Sequence, residues 1–219
     1  MIPDQSTLYA IPAPFKTIRE IAELEIENSP NAVTLNFADG SPAPPFLQTV
    51  AHAYWSSDSL CVIFSGRTEN CERQSNNRER FSALRTPRLW EKSDVCELFI
   101  GPRARKDLRY KEFETSPDGR WICLDVRKEG STVVGNQSWR SGFRCATTVS
   151  LTLSRWKILM RIPWQDLDSQ DPREVEWDCN LYRAAPSHLG GHLLSWMATG
   201  YGSQCFHRPE RFGRLLLVG

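Results

Sequence analysis

No run of apolar residues in this sequence is long enough to cross a bilayer as a helix. The longest are short stretches such as Leu215-Leu216-Leu217-Val218, against the ~20 residues that a spanning helix needs. Closely paired cysteines are missing as well. Seven cysteines, at 61, 71, 96, 123, 145, 179 and 205, are spread so that none lies closer than ten residues to the next. That spacing removes C-x-x-C zinc and redox motifs. The cysteines read instead as small hydrophobes inside strands, in a reducing compartment. An excess of one charge is also lacking: the net charge is +1, so no general attraction to nucleic acid or membrane is expected. The start, "MIPDQSTLYAIPAPF", has no basic segment followed by an apolar one. The reading is therefore no signal peptide and a cytoplasmic address, becoming secreted or periplasmic only if a leader precedes it. Internal repeats, low-complexity tracts and domain linkers are absent, and 219 residues suit one domain over 1–219.

What the chain does have is strand after strand. Residues 1–45 hold seven of the fourteen prolines, so an irregular segment packed on the domain is expected there, with a short helix near 17–25 and a strand at 32–37. "TVAHAYW" and "LCVIFSG" form a hairpin around Ser56-Ser57-Asp58-Ser59. A polar loop at 67–88 follows, carrying six arginines and three glutamates, a length often associated with function. "DVCELFIG" is the next strand. "YKEFETSPDGRWICLDV" is a hairpin turned by Pro117-Asp118-Gly119. "FRCATTVSL" pairs with "RWKILMRIPW", and "PWQDL" gives a helical turn opened by proline. "EWDCNLYRA", "HLLSWMAT" and "RFGRLLLV" complete the series. The fold class is all-β: an antiparallel, jelly-roll-like β-sandwich of about nine to eleven strands with little helix.

Alternation assigns the faces. Cys96, Leu98 and Ile100 share one side of their strand, and Val95, Glu97 and Phe99 the other. The first set is core, which leaves Glu97 on the more accessible face. Glu112, Glu114 and Ser116 make a second polar row, and Asp178, Asn180 and Tyr182 a third. Side by side, these rows would floor a polar sheet face with Trp90 as one wall. Carboxyl and amide groups beside an aromatic ring suit a sugar, whose hydroxyls need planar partners and whose C–H face stacks.

Four blocks in order carry a family resemblance. "AYWSSDSLCVIF" resembles the "vxWdxxyLyvxf" hairpin of family 9 carbohydrate-binding modules and their DOMON-like relatives. "LWEKSDVCELFIGP" is similar to their "pWexDxVEiFiDp" block, with one extra residue between tryptophan and glutamate. "WKILMRIPWQDL" resembles "yxvExaIpWxxl", and "LSWMATGYGSQCFHRPERFGRLLL" resembles the closing tryptophan–glycine pattern. Together the blocks cover roughly residues 47–218. The resemblance implies a β-sandwich that binds a saccharide without cleaving it, often at a chain end and between two aromatic rings. It places the first clamp residue at Trp90, the glutamate of the following strand at Glu97, and the second clamp position at Phe206, where the family has tryptophan. The family's arginine falls on Glu114, its asparagine on Ser116 and its glutamine on Asn180, with Tyr182 and Arg183 as outer candidates. It also implies a glycoside hydrolase partner.

Rival readings remain. Glu97 and Glu114 are two carboxyls on neighbouring strands, the arrangement of a glycoside hydrolase. A haem domain would draft Met197 with His52, His188, His192 or His207. His188 and His192 have metal spacing, but Gly190 and Gly191 between them make a turn. No cofactor is expected. Structural calcium occurs in the family, yet Asp58, Asp94 and Asp118 are scattered and define no site. Cys205 and His207 flank Phe206 too closely to meet as a nucleophile pair.

Overall fold

A computed structural model describes residues 5–13, 24–67, 80–81, 85–91, 93–103, 108–150, 153–186, 189–201 and 205–219. Fourteen strands are found among them: β1 (Thr7–Pro12), β2 (Val33–Phe37), β3 (Thr49–Trp55), β4 (Ser59–Arg67), β5 (Arg80–Phe81), β6 (Val95–Pro102), β7 (Arg109–Thr115), β8 (Trp121–Glu129), β9 (Thr132–Asn136), β10 (Arg144–Ser150), β11 (Arg155–Pro163), β12 (Trp177–Ala184), β13 (Leu193–Ser195) and β14 (Gly213–Leu217). Helix is confined to 3-10 turns among the described residues, in agreement with an all-β sandwich. Residues 17–23 of the helix expected near 17–25 and most of the 67–88 loop lie outside them.

The strands form one hydrogen-bonded path, β5-β10-β11-β4-β3-β1-β14-β12-β6-β7-β8-β9. It doubles over into two layers, β5 to β3 facing β14 to β9. Their inner faces share one core, in which Val62, Phe64, Ile158 and Met160 join Leu98, Ile100, Phe113 and Leu181. β1 joins the layers by pairing in parallel with both β3 and β14. A second link runs from β3 through β2 and β13 to β12. The expectation of an irregular N-terminal segment is therefore corrected at Thr7–Pro12: a proline-rich stretch still supplies a central strand, because its one proline closes the strand.

The hairpins follow the turn chemistry. Ser56 N–H bonds to the Ser59 carbonyl at 2.9 Å between β3 and β4, and Gly119 takes a φ of 86° between β7 and β8, which favours glycine. The outer face of β3, β4 and β11 is covered by the chain at 24–27. Ile26 joins Val50, Tyr54 and Ile63 there. Lys157 Nζ donates to the Leu24 carbonyl at 2.6 Å, and Glu27 accepts from Arg155 at 2.7 Å. All six described cysteines are buried and free, five of them within strands.

One charged group is built into the core between the layers. Arg183 is fully buried. Its guanidinium grips Asp94 through Nε at 2.8 Å and Nη2 at 2.7 Å. Nη1 reaches Thr49 Oγ1 at 3.0 Å and the Leu47 carbonyl at 3.2 Å. The group lies 5.0 Å over the Trp156 ring, and that ring sits so close to Gly66 that an added Cβ would come within 2.2 Å of it. Arg183→Leu leaves Asp94 without its bidentate partner. Chemical denaturation should show a loss of about 3–5 kcal/mol, the usual cost of breaking one side of a buried ion pair. Recovery of part of that loss in the Arg183→Leu/Asp94→Leu double variant would show that the stranded charge causes it; an undiminished loss would point to packing alone.

Candidate functional site

The outer face of β12, β6, β7 and β8 is where the polar rows converge. Register places Glu97 opposite Glu114 and Phe99 opposite Glu112 across β6 and β7, and Tyr182 opposite Glu97 across β12 and β6. The three strands expected to neighbour one another do so. The face is not open to water, however. The chain at 205–212 lies over it, adding Cys205, Phe206 and Phe212 to Val95, Phe99, Tyr110, Leu124, Val126 and Tyr182 in a second apolar cluster. Glu97, Glu112 and Glu114 are 4%, 5% and 0% exposed. The expectation that Glu97 sits on an accessible face is thus corrected: it is held within a lined cavity.

That cavity has a volume of about 300 Å³. Trp90, Phe206 and His207 contribute its rings, Glu97, Glu112 and Glu114 its carboxyls, and Leu124, Val126 and Val133 its aliphatic floor. Trp90 sits on the turn Leu89–Glu91. Leu89 is buried beneath while Trp90 keeps 40% of its surface exposed. Phe206 is stacked on Tyr182 at 4.1 Å and 20° between planes, and the Tyr182 hydroxyl donates to the Phe206 carbonyl at 2.9 Å. Tyr182 therefore fixes Phe206 from below. His207 stacks on Phe99 at 5.3 Å, and its Nδ1 lies 2.6 Å from the Tyr110 hydroxyl.

The electrostatics are those of carboxyls taken out of water together. Burial raises Glu97 well above the ordinary glutamate range, with the Glu112 charge adding to it. Burial pushes Glu112 up to about 7. Glu114 is raised by burial and then by the charges of Glu97 and Glu112. Neither Glu114 oxygen has a hydrogen-bond donor. The polar group that meets it is the Glu112 carboxyl, also an acceptor, so the two bond only when one of them holds a proton. Burial, and then the Lys128 charge, pushes His207 down to about 4, so its ring is neutral near pH 7.

Of the eight site residues expected from sequence, the cavity collects Trp90, Glu97, Glu114 and Phe206. The other four have different positions. Arg183 points to the opposite face, between the layers, as described above. Asn180 is fully buried. Its amide donates to the Met197 carbonyl and accepts from the N–H groups of Leu181 and Met197, each at 2.9 Å. Ser116 donates to Asp118 in the β7–β8 turn. Tyr182 lies beneath Phe206 rather than on the cavity wall. Glu112, His207 and Gln137 line the cavity and were not among the eight. Alternation had already put Glu112 in the row of Glu114, and His207 follows Phe206; nothing in the sequence marks Gln137.

The rival constellations fare differently. Gly190 and Gly191 adopt φ values of 91° and 63°, the turn expected between His188 and His192; His188 lies outside the described residues. His52 is buried against Tyr54 at 4.4 Å, and Met197 packs on the main core. Asp58, Asp94 and Asp118 are each held by an arginine. Among the described residues, no group of three or more acidic, histidine or cysteine side chains is placed to hold a metal ion.

The fold is an all-β sandwich with a lined cavity on one outer sheet face, and comparison with solved structures makes the fold specific. A Bacteroides uniformis protein for which carbohydrate binding is inferred superposes with a TM-score of 0.65 at 16% identity, over 97% of this chain and 99% of the other. A family 9 carbohydrate-binding module from Caldicellulosiruptor kristjanssonii, solved with cellotriose, gives 0.60 at 12% identity over 97% and 94%. The same organism's family 9 module with glucose gives 0.58 at 12% over 97% and 96%. The chain has the family 9 carbohydrate-binding-module fold. No protein-family model matches the sequence, and no curated protein does.

Because the three glutamates have raised proton affinity in the folded state, folding takes up protons. Their contribution to stability is therefore full at and below the ordinary glutamate value of 4.5 and is lost as pH rises through the folded values. Glu114→Gln removes one charge while keeping the shape. Its thermal midpoint should equal that of the wild type near pH 4.5 and exceed it by pH 8. The gap should reach about 1–3 kcal/mol, since a tenfold change in a protonation equilibrium is worth about 1.4 kcal/mol. Parallel pH–stability curves for the two proteins would refute the shared origin of the shifts.

Proposed function

We propose that this protein binds a saccharide, without cleaving it, in the cavity on the β12-β6-β7-β8 face. The observation that carries the proposal is the combination, in one cavity, of a half-exposed Trp90, a ring fixed by stacking at Phe206, and buried carboxyls that have no cation of their own among the described residues. A pyranose presents what each of these lacks: a C–H face for the indole, and hydroxyl donors for the acceptors. About 300 Å³ is at the small end of ligand sites, which run from ~300 to 1,000 Å³. That volume favours one sugar ring or a chain end over an internal stretch of polymer. The fold shared with modules solved in complex with glucose and cellotriose supports the same ligand class.

Binding is favoured over hydrolysis by the placement of the carboxyls. A glycosidase sets its two carboxyls on either side of the scissile bond. Glu97 and Glu114 are instead direct cross-strand neighbours on one sheet face, in one environment that raises both. Pairing with a separate glycoside hydrolase would put such a module to use and belongs to this proposal.

Titration with mono- and oligosaccharides, followed by tryptophan fluorescence and calorimetry, tests it. Trp90→Ala should weaken binding at least about tenfold, equivalent to ~1.4 kcal/mol, with the melting temperature kept because the ring is half-exposed. Binding indifferent to Trp90 would place the ligand elsewhere. The absence of any saccharide response in the wild type would end the reading.

A further inference from the structure

The charge of the cavity says which saccharides suit it, an inference resting on the saccharide reading above. Neutral sugars can donate hydrogen bonds to the three carboxyls, but they bring no positive charge to favour the ionised form over the protonated one. Arg208, on the covering chain, acts by its charge on Cys205 but does not line the cavity, and other cations on neighbouring elements are engaged by acids. Lys128 on β8 pairs with Glu210 at 3.3 Å. Arg120, at the start of β8, is held by Asp118 at 2.7 Å and by Ser93. Lys111 and Arg183, on β7 and β12, face the core and bond to Asp125 and Asp94. The remaining titratable groups facing the carboxyls are Tyr110, Tyr182, Cys205 and His207, all neutral near pH 7. Among the described residues, no cation lines the cavity.

Glu114 is a separate observation that points to a ligand. It is fully buried, lines the cavity, and has no donor on either oxygen. A buried carboxyl in that condition carries a free-energy cost that a bound donor with positive charge would remove. Three carboxyls not placed to hold a metal ion still suit a group whose donors diverge. A primary ammonium has three N–H donors, no acceptor and one positive charge.

We propose that the site selects a sugar bearing a free amine, with the –NH3+ seated among Glu97, Glu112 and Glu114 and the ring face against Trp90. An acetylated amine would lose the charge and two of its donors, so discrimination runs against N-acetyl sugars as well as neutral ones. Seating the ammonium favours ionised carboxyls and displaces the protons they hold, so affinity rises with pH across the range where the free protein is still protonated.

Calorimetry on the full chain with D-glucosamine, D-glucose, N-acetyl-D-glucosamine and methylammonium, near pH 5 and near pH 7, reads this out. The expected result is glucosamine at least about tenfold tighter than glucose and N-acetylglucosamine near pH 7, with the preference shrinking near pH 5. Glu114→Gln, checked for folding by its melting curve, should lower glucosamine affinity more than glucose affinity. Glucose or N-acetylglucosamine binding as tightly as glucosamine would overturn the amine inference and leave the saccharide site standing. Failure of every sugar would overturn both, as would methylammonium matching glucosamine, since the ring would then contribute nothing. Binding abolished by a chelator would replace the ammonium with a metal ion and overturn the inference too.

Discussion

Glu97 faces Glu114 directly across the β6–β7 ladder, and much of the outer face follows from that one juxtaposition. Like charges opposite one another in a sheet oppose pairing, and the cost grows when both are taken out of water. The strands nevertheless hold this register because the reverse faces of the same residues leave no choice. Leu98 lies against Phe113 on the core side, and a slip by one residue would turn every core side chain outward. The core dictates the register, and the register delivers the glutamates to one place. Their raised proton affinities follow from that placement.

The same sheet therefore separates two uses of buried charge. On its inner side Arg183 is satisfied by Asp94, Thr49 and a backbone carbonyl, so it fixes the spacing of the layers and asks for nothing more. On its outer side Glu114 meets only another carboxyl, Glu112, and has no donor of its own. Neighbouring positions on β12 show how sharply the faces differ: Tyr182 supports Phe206 on the cavity side, while Arg183, one residue on, belongs to the core. Stacking on Tyr182 also explains why a phenylalanine, with less ring surface than tryptophan, still presents a fixed wall.

The strand segments, hairpin turns and the alternation of faces were legible in the sequence, because period-two patterning and the Pro117-Asp118-Gly119 and Ser56–Ser59 turns are local signals. So was the cavity's core membership: Trp90, Glu97, Glu114 and Phe206 all emerged from alternation and family resemblance. Burial of that face was not legible, since the chain at 205–212 that covers it is far away in sequence from β6 and β7. Arg183 and Asn180 were misplaced for a related reason. A polar residue in a strand reads the same whether it serves a ligand or a neighbouring loop, and only the partner, Asp94 in one case and Met197 in the other, tells them apart. Thr7–Pro12 failed differently: proline density masked a strand whose partners, β3 and β14, are supplied by tertiary structure.

The seam made by β1 has a consequence for how such a chain is built. Its two parallel partners lie about forty and two hundred positions downstream along the polypeptide. Emerging from the ribosome, Thr7–Pro12 can find β3 early but must wait for Gly213–Leu217 before its other edge is covered. Throughout that interval it presents a row of unpaired backbone groups, the feature that invites association between chains. β14, the latest of the described strands along the polypeptide, thus acts as a latch, and the time that a ribosome takes to reach it sets how long the nascent sandwich stands ajar.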